Sequence, residues 1–251
     1  MKRILNNKKI YIYLILLLAI ITIICLVIIN NKNNNTENDF NISNTKTNYI
    51  DVISYLQLNT LPDEYYGYFY KKEEVTTDTI PNNIKIYMAI RKIITANKLK
   101  NNIEIKASDV EDALVSIFGT NVKYNHQSIT GNNNSYTTFK YDKGIYKEDK
   151  TKCDDICNNP RTDSIISNII KVDNTDNNTI VYEQVAFVST GYDLDTKKVT
   201  YYIYKDIDKK ELVSKEDSYS IDNCKDKLNT YKYTFKKVKD NYYFERVELV
   251  K

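Results

Sequence analysis

Three cysteines in the polar part of the chain are the side chains with the most obvious chemistry. Cys153 and Cys157 lie in the loop sequence KCDDICNNPRTD, and Cys224 lies in DNCKDK. In an oxidising compartment thiols tend to pair. We predict a disulfide between Cys153 and Cys157, with Cys224 as the alternative partner of either one. The C-x-x-x-C spacing and the lack of a surrounding βαβ pattern do not favour a redox-active pair.

The chain has a single histidine, His126, so any thiol–imidazole mechanism must use it. With Cys224 and Arg246 it supplies the residue types of a sortase, a family that combines an N-terminal anchor with a β domain; Arg161 is the other candidate arginine. The sortase strand motif TLxTC is absent from this sequence. A position in a predicted strand between two amide side chains is more typical of a solvated histidine.

Recognisable cofactor and metal motifs are also absent. The loop at residues 173–178 offers oxygen ligands, but Thr175 and the missing glycine break the EF-hand pattern, so we predict a β-turn there. One C-x-x-x-C and a distant histidine do not meet zinc spacing. No GxGxxG, P-loop, GxSxG or HExxH pattern occurs, and only 5 glycines are available for phosphate-binding loops. The sequence predicts no cofactor and disfavours a nucleotide enzyme.

Tyrosine dominates the aromatic residues, with 23 Tyr against 7 Phe and no Trp. A tyrosine ring can be buried while its hydroxyl stays wet, which suits both sheet cores and recognition surfaces. High strand propensity favours the core for most of them. The predicted interaction surface, if one exists, is the cluster of Tyr65, Tyr66, Tyr68, Phe69 and Tyr70.

The N-terminal segment predicts where these residues are located in the cell. Residues 10–29 read IYIYLILLLAIITIICLVII without a charge, and about 20 apolar residues in a helix span a ~30 Å hydrocarbon core. Lys2, Arg3, Lys8 and Lys9 precede this segment, which places the N-terminus in the cytoplasm. We predict a single-pass plasma-membrane protein with an uncleaved signal-anchor and an extracytoplasmic C-terminal domain.

Three other interpretations of the same segment fit less well. A cleaved signal peptide has a shorter apolar region and a small-x-small cleavage site, and no such site follows here. A lipoprotein anchor at Cys25 would need a small residue where Ile24 stands. A pseudopilin carries a glutamate inside its apolar run, and this run has none.

Composition divides the chain into four predicted segments. These are a basic cytoplasmic tail (1–9), the transmembrane anchor (10–29), a flexible Asn-rich tether (30–47) and one extracytoplasmic domain (48–251). The tether has almost no large apolar residue to offset the entropy of ordering. The net charge is +3, from 36 basic and 33 acidic residues, and four of the basic residues flank the anchor. Nucleic acid is therefore not a predicted partner.

Helical periodicity is confined to the first half of the predicted domain. Apolar residues at spacings of three and four predict a helix over 82–97, with Pro81 at its first turn. Ser108 and Glu111 form a capping-box pattern for a second helix that ends at Gly119. Weaker patterns predict short helices at 50–58 and from Pro62.

After Gly119 the period changes from 3.6 to 2, which predicts an antiparallel sheet of hairpins. The predicted strands are 122–128, 136–146, 179–189, 199–206, 230–238 and 242–250. Asp240-Asn241 is a tight-turn dipeptide between the last two.

The predicted fold class is α+β, with two or more helices packed on one face of a twisted antiparallel sheet, an element order that resembles the cystatin-like and NTF2-like architectures. Fold alone does not supply a function. The anchor, the tether and the lack of catalytic motifs favour an interaction or structural module of the cell envelope that binds an envelope protein or a wall component. The alternative is an extracytoplasmic enzyme with a thiol- or carboxylate-based site.

Overall fold

The computed structural model describes residues 48–57, 67–129, 138–149 and 163–250, all of which lie in one compact unit, Asn41–Lys251. It confirms the α+β class, with three described helices packed against antiparallel sheets. No helix in these described ranges is long and apolar enough to cross a membrane. The predicted anchor and tether lie outside them.

The helices are α1 (Tyr49–Leu56), α2 (Asn82–Asn97) and α3 (Ala107–Phe118), with 3₁₀ turns at Tyr68–Tyr70 and Lys225–Lys227. The strands are β1 (Glu74–Thr76), β2 (Glu104–Lys106), β3 (Thr138–Asp142), β4 (Ile145–Asp149), β5 (Asp163–Asn174), β6 (Asn178–Tyr192), β7 (Val199–Tyr204), β8 (Leu212–Glu216), β9 (Asn229–Val238) and β10 (Asn241–Leu249).

The larger sheet, of seven described strands, is built around the long strand β6. The first half of β6 pairs with β9 and the second half pairs with β7, while β5 runs along its opposite edge. Beyond β9 come β10 and then β1, and beyond β7 comes β8. A smaller sheet has the order β2-β4-β3. Every pairing is antiparallel.

The predicted helix over 82–97 is confirmed, with Pro81 as its N-cap residue. The helix predicted at 50–58 corresponds to α1, and the one predicted from Pro62 begins outside the described residues. Helix α3 starts at Ala107 after Lys106, so Ser108 lies inside the helix and the predicted capping box is wrong. The helix ends at Gly119 as predicted, with φ 85°, a conformation that favours glycine.

The helices pack on the sheet through aromatic residues that alternate along the last two strands. Helices α1 and α3 both contact β10. The Phe244 ring on β10 lies 6.1 Å from Phe235, 6.2 Å from Phe118 and 6.3 Å from Phe69, all with steep interplanar angles. Such edge-on contacts are favourable for aromatic pairs. Tyr231, Tyr233 and Phe235 of β9 are buried as predicted, but Thr234 between them is buried as well.

Segments that depart from strict alternation were predicted wrongly. Residues 122–128 form no strand. Part of their backbone bonds to α2 side chains instead: Asn82 Nδ2 donates to Asn125 O (2.5 Å) and Lys85 Nζ donates to Lys123 O (3.2 Å). The predicted strand at 136–146 is instead part of a hairpin, β3 and β4, that turns at Gly144.

Strand β5 was not predicted at all. Its isoleucines come in adjacent pairs, and a bulge at Ile170 shifts its register against β6. The turn between β9 and β10 is also displaced by one residue. Val238 pairs with Asn241, so Lys239 and Asp240 form the turn, with Lys239 at φ 56°.

Candidate functional site

The structure places the described thiol in a core. Cys224 is 1% exposed and free, and its Sγ donates to Ile221 O at 3.5 Å. It packs with Ala186, Val188 and Ile203 in an apolar cluster. Burial raises the pKa of this thiol, which makes it a poor nucleophile. Cys153, Cys157 and Arg161 lie outside the described residues, so their predicted disulfide stays a prediction.

His126 connects α3 to β4 and is not the solvated residue on a sheet face that the sequence predicted. Its Nε2 lies 2.9 Å from Glu111 Oε1 on α3, and its Nδ1 lies 2.8 Å from the Tyr146 hydroxyl on β4. The ring stacks on Tyr141 at 5.1 Å between centroids. Both ring nitrogens thus link His126 to neighbouring elements of the fold.

The sortase-like combination is not assembled in the described part of the chain. Arg246 pairs with Glu74 and Glu248 (3.7 and 4.0 Å), a set of partners separate from those of His126 and Cys224. None of these three side chains lines the clefts described below.

The predicted tyrosine surface is largely core where the structure describes it. Phe69 and Tyr70 are 1% and 6% exposed, because their rings fill the space between the helices and the sheet. Tyr68 is half-buried and donates to Thr79 O at 2.8 Å. Tyr65 and Tyr66 lie outside the described residues. The predicted surface is thus wrong for Phe69 and Tyr70.

A buried polar network joins α1 to the sheet. Glu183 on β6 is 3% exposed, and its Oε2 accepts from the Tyr233 hydroxyl (2.7 Å) and from Gln57 Nε2 (2.8 Å). The Tyr70 hydroxyl lies 2.9 Å from that of Tyr233. Burial raises the pKa of Glu183 although these hydrogen bonds oppose the shift. Its carboxyl and two tyrosine hydroxyls are buried, so we assign the network to stability.

Two lysines of α2 are also buried. Lys92 is 5% exposed, donates to Ser116 Oγ at 2.5 Å, and has its pKa lowered to about 8 by burial. Lys85 is 3% exposed and its pKa is also lowered by burial. Lys92 lines none of the clefts described here, whereas Lys85 lines one of them.

The candidate site is a cleft of about 470 Å³ where the C-terminal end of α3 meets the β9–β10 hairpin. We call it the Tyr243 cleft. Its polar lining residues are Thr76, Thr77, Asp78, Thr120, Asn121, Lys236, Tyr243 and Glu245, and its apolar ones are Phe118, Val122, Val238 and Phe244 beside Gly119.

Several polar side chains in this cleft have no partner among the described residues. Among the described residues, Thr120, Asn121, Lys236 and Glu245 make no side-chain hydrogen bond or ion pair, and Tyr243 makes no ring contact or hydroxyl bond. Tyr243 and Lys236 are cross-strand partners, so they lie side by side. Lysine and amide groups donate and carboxylate oxygens accept. The cleft therefore offers both kinds of hydrogen-bonding group around one ring.

Gly119 lies close to the half-buried Tyr243 ring. A Cβ atom at this position would lie 3.6 Å from Cγ of Tyr243, in ordinary contact with the ring. Any larger side chain would cover part of the ring. The glycine that ends α3 thus also leaves this side of the cleft open.

A second cleft of about 440 Å³ adjoins the first, since both include Asp78 and Val122. Its other lining residues are Ile80, Asn82, Lys85, Lys123, Tyr124 and Asn125. A third cleft, on the small sheet, is lined mainly by charged residues, which include the 2.5 Å pair of Lys147 with Glu104, and no aromatic residue lines it. The two joined clefts are the better candidate for a ligand, because each has an aromatic ring beside its polar groups.

Sequence reasoning missed Tyr243, Lys236 and Glu245 because nothing in their spacing resembles a motif. The available signal was indirect: Gly119 ends a helix and is followed by the polar pair Thr120-Asn121. The chain matches no protein-family model, no curated protein sequence and no solved structure.

Proposed function

We propose that this protein is a membrane-anchored, extracytoplasmic binding module of the cell envelope, and that the Tyr243 cleft is its ligand site. The anchor is residues 10–29, the tether is residues 30–47, and the ligand is an envelope component. A cystatin- or NTF2-like arrangement of the domain belongs to the same proposal and is supported by element order only.

The observation that carries the binding role is the set of unbonded side chains in the cleft. Exposed polar groups that have no partner among the described residues are hydrated, and a ligand can replace that water with matched hydrogen bonds. Clefts with a few converging polar groups are the usual form of binding sites. Support for the location comes from the uncharged segment 10–29 and the basic residues before it.

Site-specific photocrosslinking in intact cells tests this role. A photoreactive phenylalanine analogue at Asn121, which is exposed and lines the cleft, is expected to give a defined crosslinked envelope species. The matched control is the same analogue at Thr196, an exposed residue outside the cleft. Equal crosslinking at both positions, or none at Asn121, would contradict the proposed binding site.

A further inference from the structure

We propose that the joined clefts bind a linear, uncharged glycan, with a sugar ring stacked on Tyr243. This inference deepens the proposed function and depends on it, since it names the chemical class of the ligand. It follows from the aromatic ring, the types of free polar group, the balance of charge and the shape of the groove.

The Tyr243 ring supplies a partner for the apolar side of a sugar. One side of a pyranose ring presents C–H groups, which pack against an aromatic face as other apolar and cationic groups do. Tyr243 is half-buried, lines the cleft beside Gly119 and makes no ring contact with another described aromatic residue. The exposed part of the ring is therefore available to a sugar.

The free polar groups around the ring suit hydroxyls. A sugar hydroxyl both donates and accepts, as a serine hydroxyl does. Lys236 donates, Glu245 accepts, and Asn121 and Thr120 can do either, and all four side chains are unbonded in the described structure. A ligand rich in hydroxyls can satisfy each of them, whereas an apolar ligand would leave them buried and unpaired.

Charge in the groove disfavours a polyanion. Asp78 and Glu245 contribute two carboxylates, and Lys236, Lys85 and Lys123 contribute three amines across the two clefts. The amine of Lys85 is bonded to Lys123 O and its pKa is lowered by burial. The signs are mixed and nearly balanced, so a phosphate polymer would meet repulsion from both carboxylates.

The strands that form the floor have no open edge for an extended peptide. Strand β9 is paired on one side with β10 and on the other with β6, so Lys236 lies opposite both Tyr243 and Asn178. On the outer side of β10, Thr77 Oγ1 donates to Phe244 O at 2.7 Å and Thr77 N donates to Glu245 O at 2.9 Å. Recognition by strand addition needs such groups to be free.

The groove is longer than a single pocket. The two clefts share Asp78 and Val122 and together measure several hundred Å³, about 470 and 440 Å³ each. Two joined compartments fit consecutive units of a linear polymer better than one compact small molecule.

Saturation-transfer difference NMR with the full-length protein tests the proposal, in a detergent that has no sugar headgroup. The probes are hexamers of β-1,4-linked N-acetylglucosamine, β-1,4-linked glucose and α-1,4-linked glucose, and the neutral wall polysaccharide of the producing cell. We expect transfer to the ring C–H protons of at least one probe. Tyr243→Ala should weaken binding about tenfold, a loss of ~1.4 kcal/mol.

Two variants distinguish weaker binding caused by the loss of the ring from weaker binding caused by misfolding. Tyr243→Phe keeps the ring and should bind within a factor of about three. Tyr192→Ala removes a tyrosine that is 57% exposed on β6 outside the cleft and should bind like the parent protein. Binding that is unaffected by Tyr243→Ala would overturn the site, provided that thermal unfolding shows the variant folded.

The proposed function and the glycan class fail in different ways. If no probe binds, but photocrosslinking at Asn121 captures an envelope protein or a peptide, the glycan is overturned and the binding module stands. If no probe binds and no crosslink forms at Asn121, both proposals are overturned.

Discussion

Glu183 and Tyr233 lie on neighbouring strands, and the tyrosine hydroxyl donates to the carboxyl oxygen at 2.7 Å. The same oxygen accepts from Gln57 at the end of α1. One buried carboxyl thus joins the first described helix to the centre of the sheet. The protonation of this carboxyl therefore affects the stability of both the helix and the sheet.

Glu183→Gln should flatten the pH dependence of unfolding. The pKa of Glu183 is raised by burial above its ordinary value of 4.5, so the folded state favours the protonated form. That contribution to stability is complete below pH 4.5 and is lost as pH rises through the raised pKa. The variant stays neutral at every pH. At pH 7 we therefore expect its free energy of unfolding to exceed that of the parent by on the order of 1 kcal/mol.

Urea unfolding between pH 4 and pH 8, followed by tyrosine fluorescence, measures this difference. The control is Glu211→Gln, which neutralises a carboxylate whose side chain is 67% exposed. Parallel curves for the parent and for Glu183→Gln would show that the carboxyl does not titrate differently on folding.

Lys92→Met should stabilise the protein most at neutral pH. Burial lowers the pKa of Lys92 from 10.5 to about 8, so its stability contribution is present above pH 10.5 and is lost as pH falls through 8. Methionine carries no proton to lose and fills a similar volume. We expect a gain on the order of 1 kcal/mol at pH 7, and a smaller gain at pH 10.

The matched control is Lys100→Met, since Lys100 is exposed and should give little change at either pH. Urea midpoints at both pH values provide the measurement. A loss of stability at pH 7 would mean that the bond from Lys92 to Ser116 outweighs the cost of burial.

Gly67→Ala should be more destabilising than Gly144→Ala. Both glycines have positive φ, 68° and 80°, which costs an alanine about 1 kcal/mol. A Cβ at Gly67 would also come within 2.5 Å of Ile207 Cγ1, whereas nothing lies within 4 Å of one at Gly144. We expect a total loss of about 2–4 kcal/mol at Gly67.

Thermal or urea unfolding of the two variants gives the comparison directly. Adding Ile207→Ala to Gly67→Ala should recover the part of the loss that is due to overlap. Equal losses of stability in the two variants would contradict a close contact between residue 67 and Ile207.

Cysteine labelling in intact cells tests topology and burial together. With a membrane-impermeant thiol reagent, we expect Cys153 and Cys157 to react only after reduction. Cys224 should stay unlabelled until the protein is denatured, because it is 1% exposed. Peptide mapping identifies each site. Labelling that requires permeabilised cells would reverse the proposed topology.

The sequence predicted elements well where one period dominates a segment. Helix α2 was predicted from apolar residues at spacings of three and four, and β9 from its alternating aromatics. The structure buries more of both than these patterns imply, since the buried residues include Lys85, Lys92 and Thr234. Strand β5 has adjacent isoleucine pairs and a bulge, which match neither period. The segment after Gly119 was mistaken for a strand, since its hydrogen bonds go to Asn82 and Lys85, distant residues that no local pattern reveals.

The candidate site was beyond sequence reasoning for a related reason. Tyr243, Lys236 and Gly119 come together only because the end of α3 lies over the β9–β10 hairpin. No local sequence pattern predicts this tertiary contact. His126 shows the same effect, because its two partners, Glu111 and Tyr146, lie on either side of it in the chain.

The pairing of β1 with β10 has a consequence for biosynthesis. Glu74–Thr76 must wait for Arg246–Glu248 to be translated before the two strands can join, and β10 also carries Tyr243. A nascent chain therefore has helices and central strands available early but lacks a ligand site until almost all of the described residues have been made. In a cell, an incomplete polypeptide therefore lacks the complete Tyr243 cleft by the order of synthesis alone.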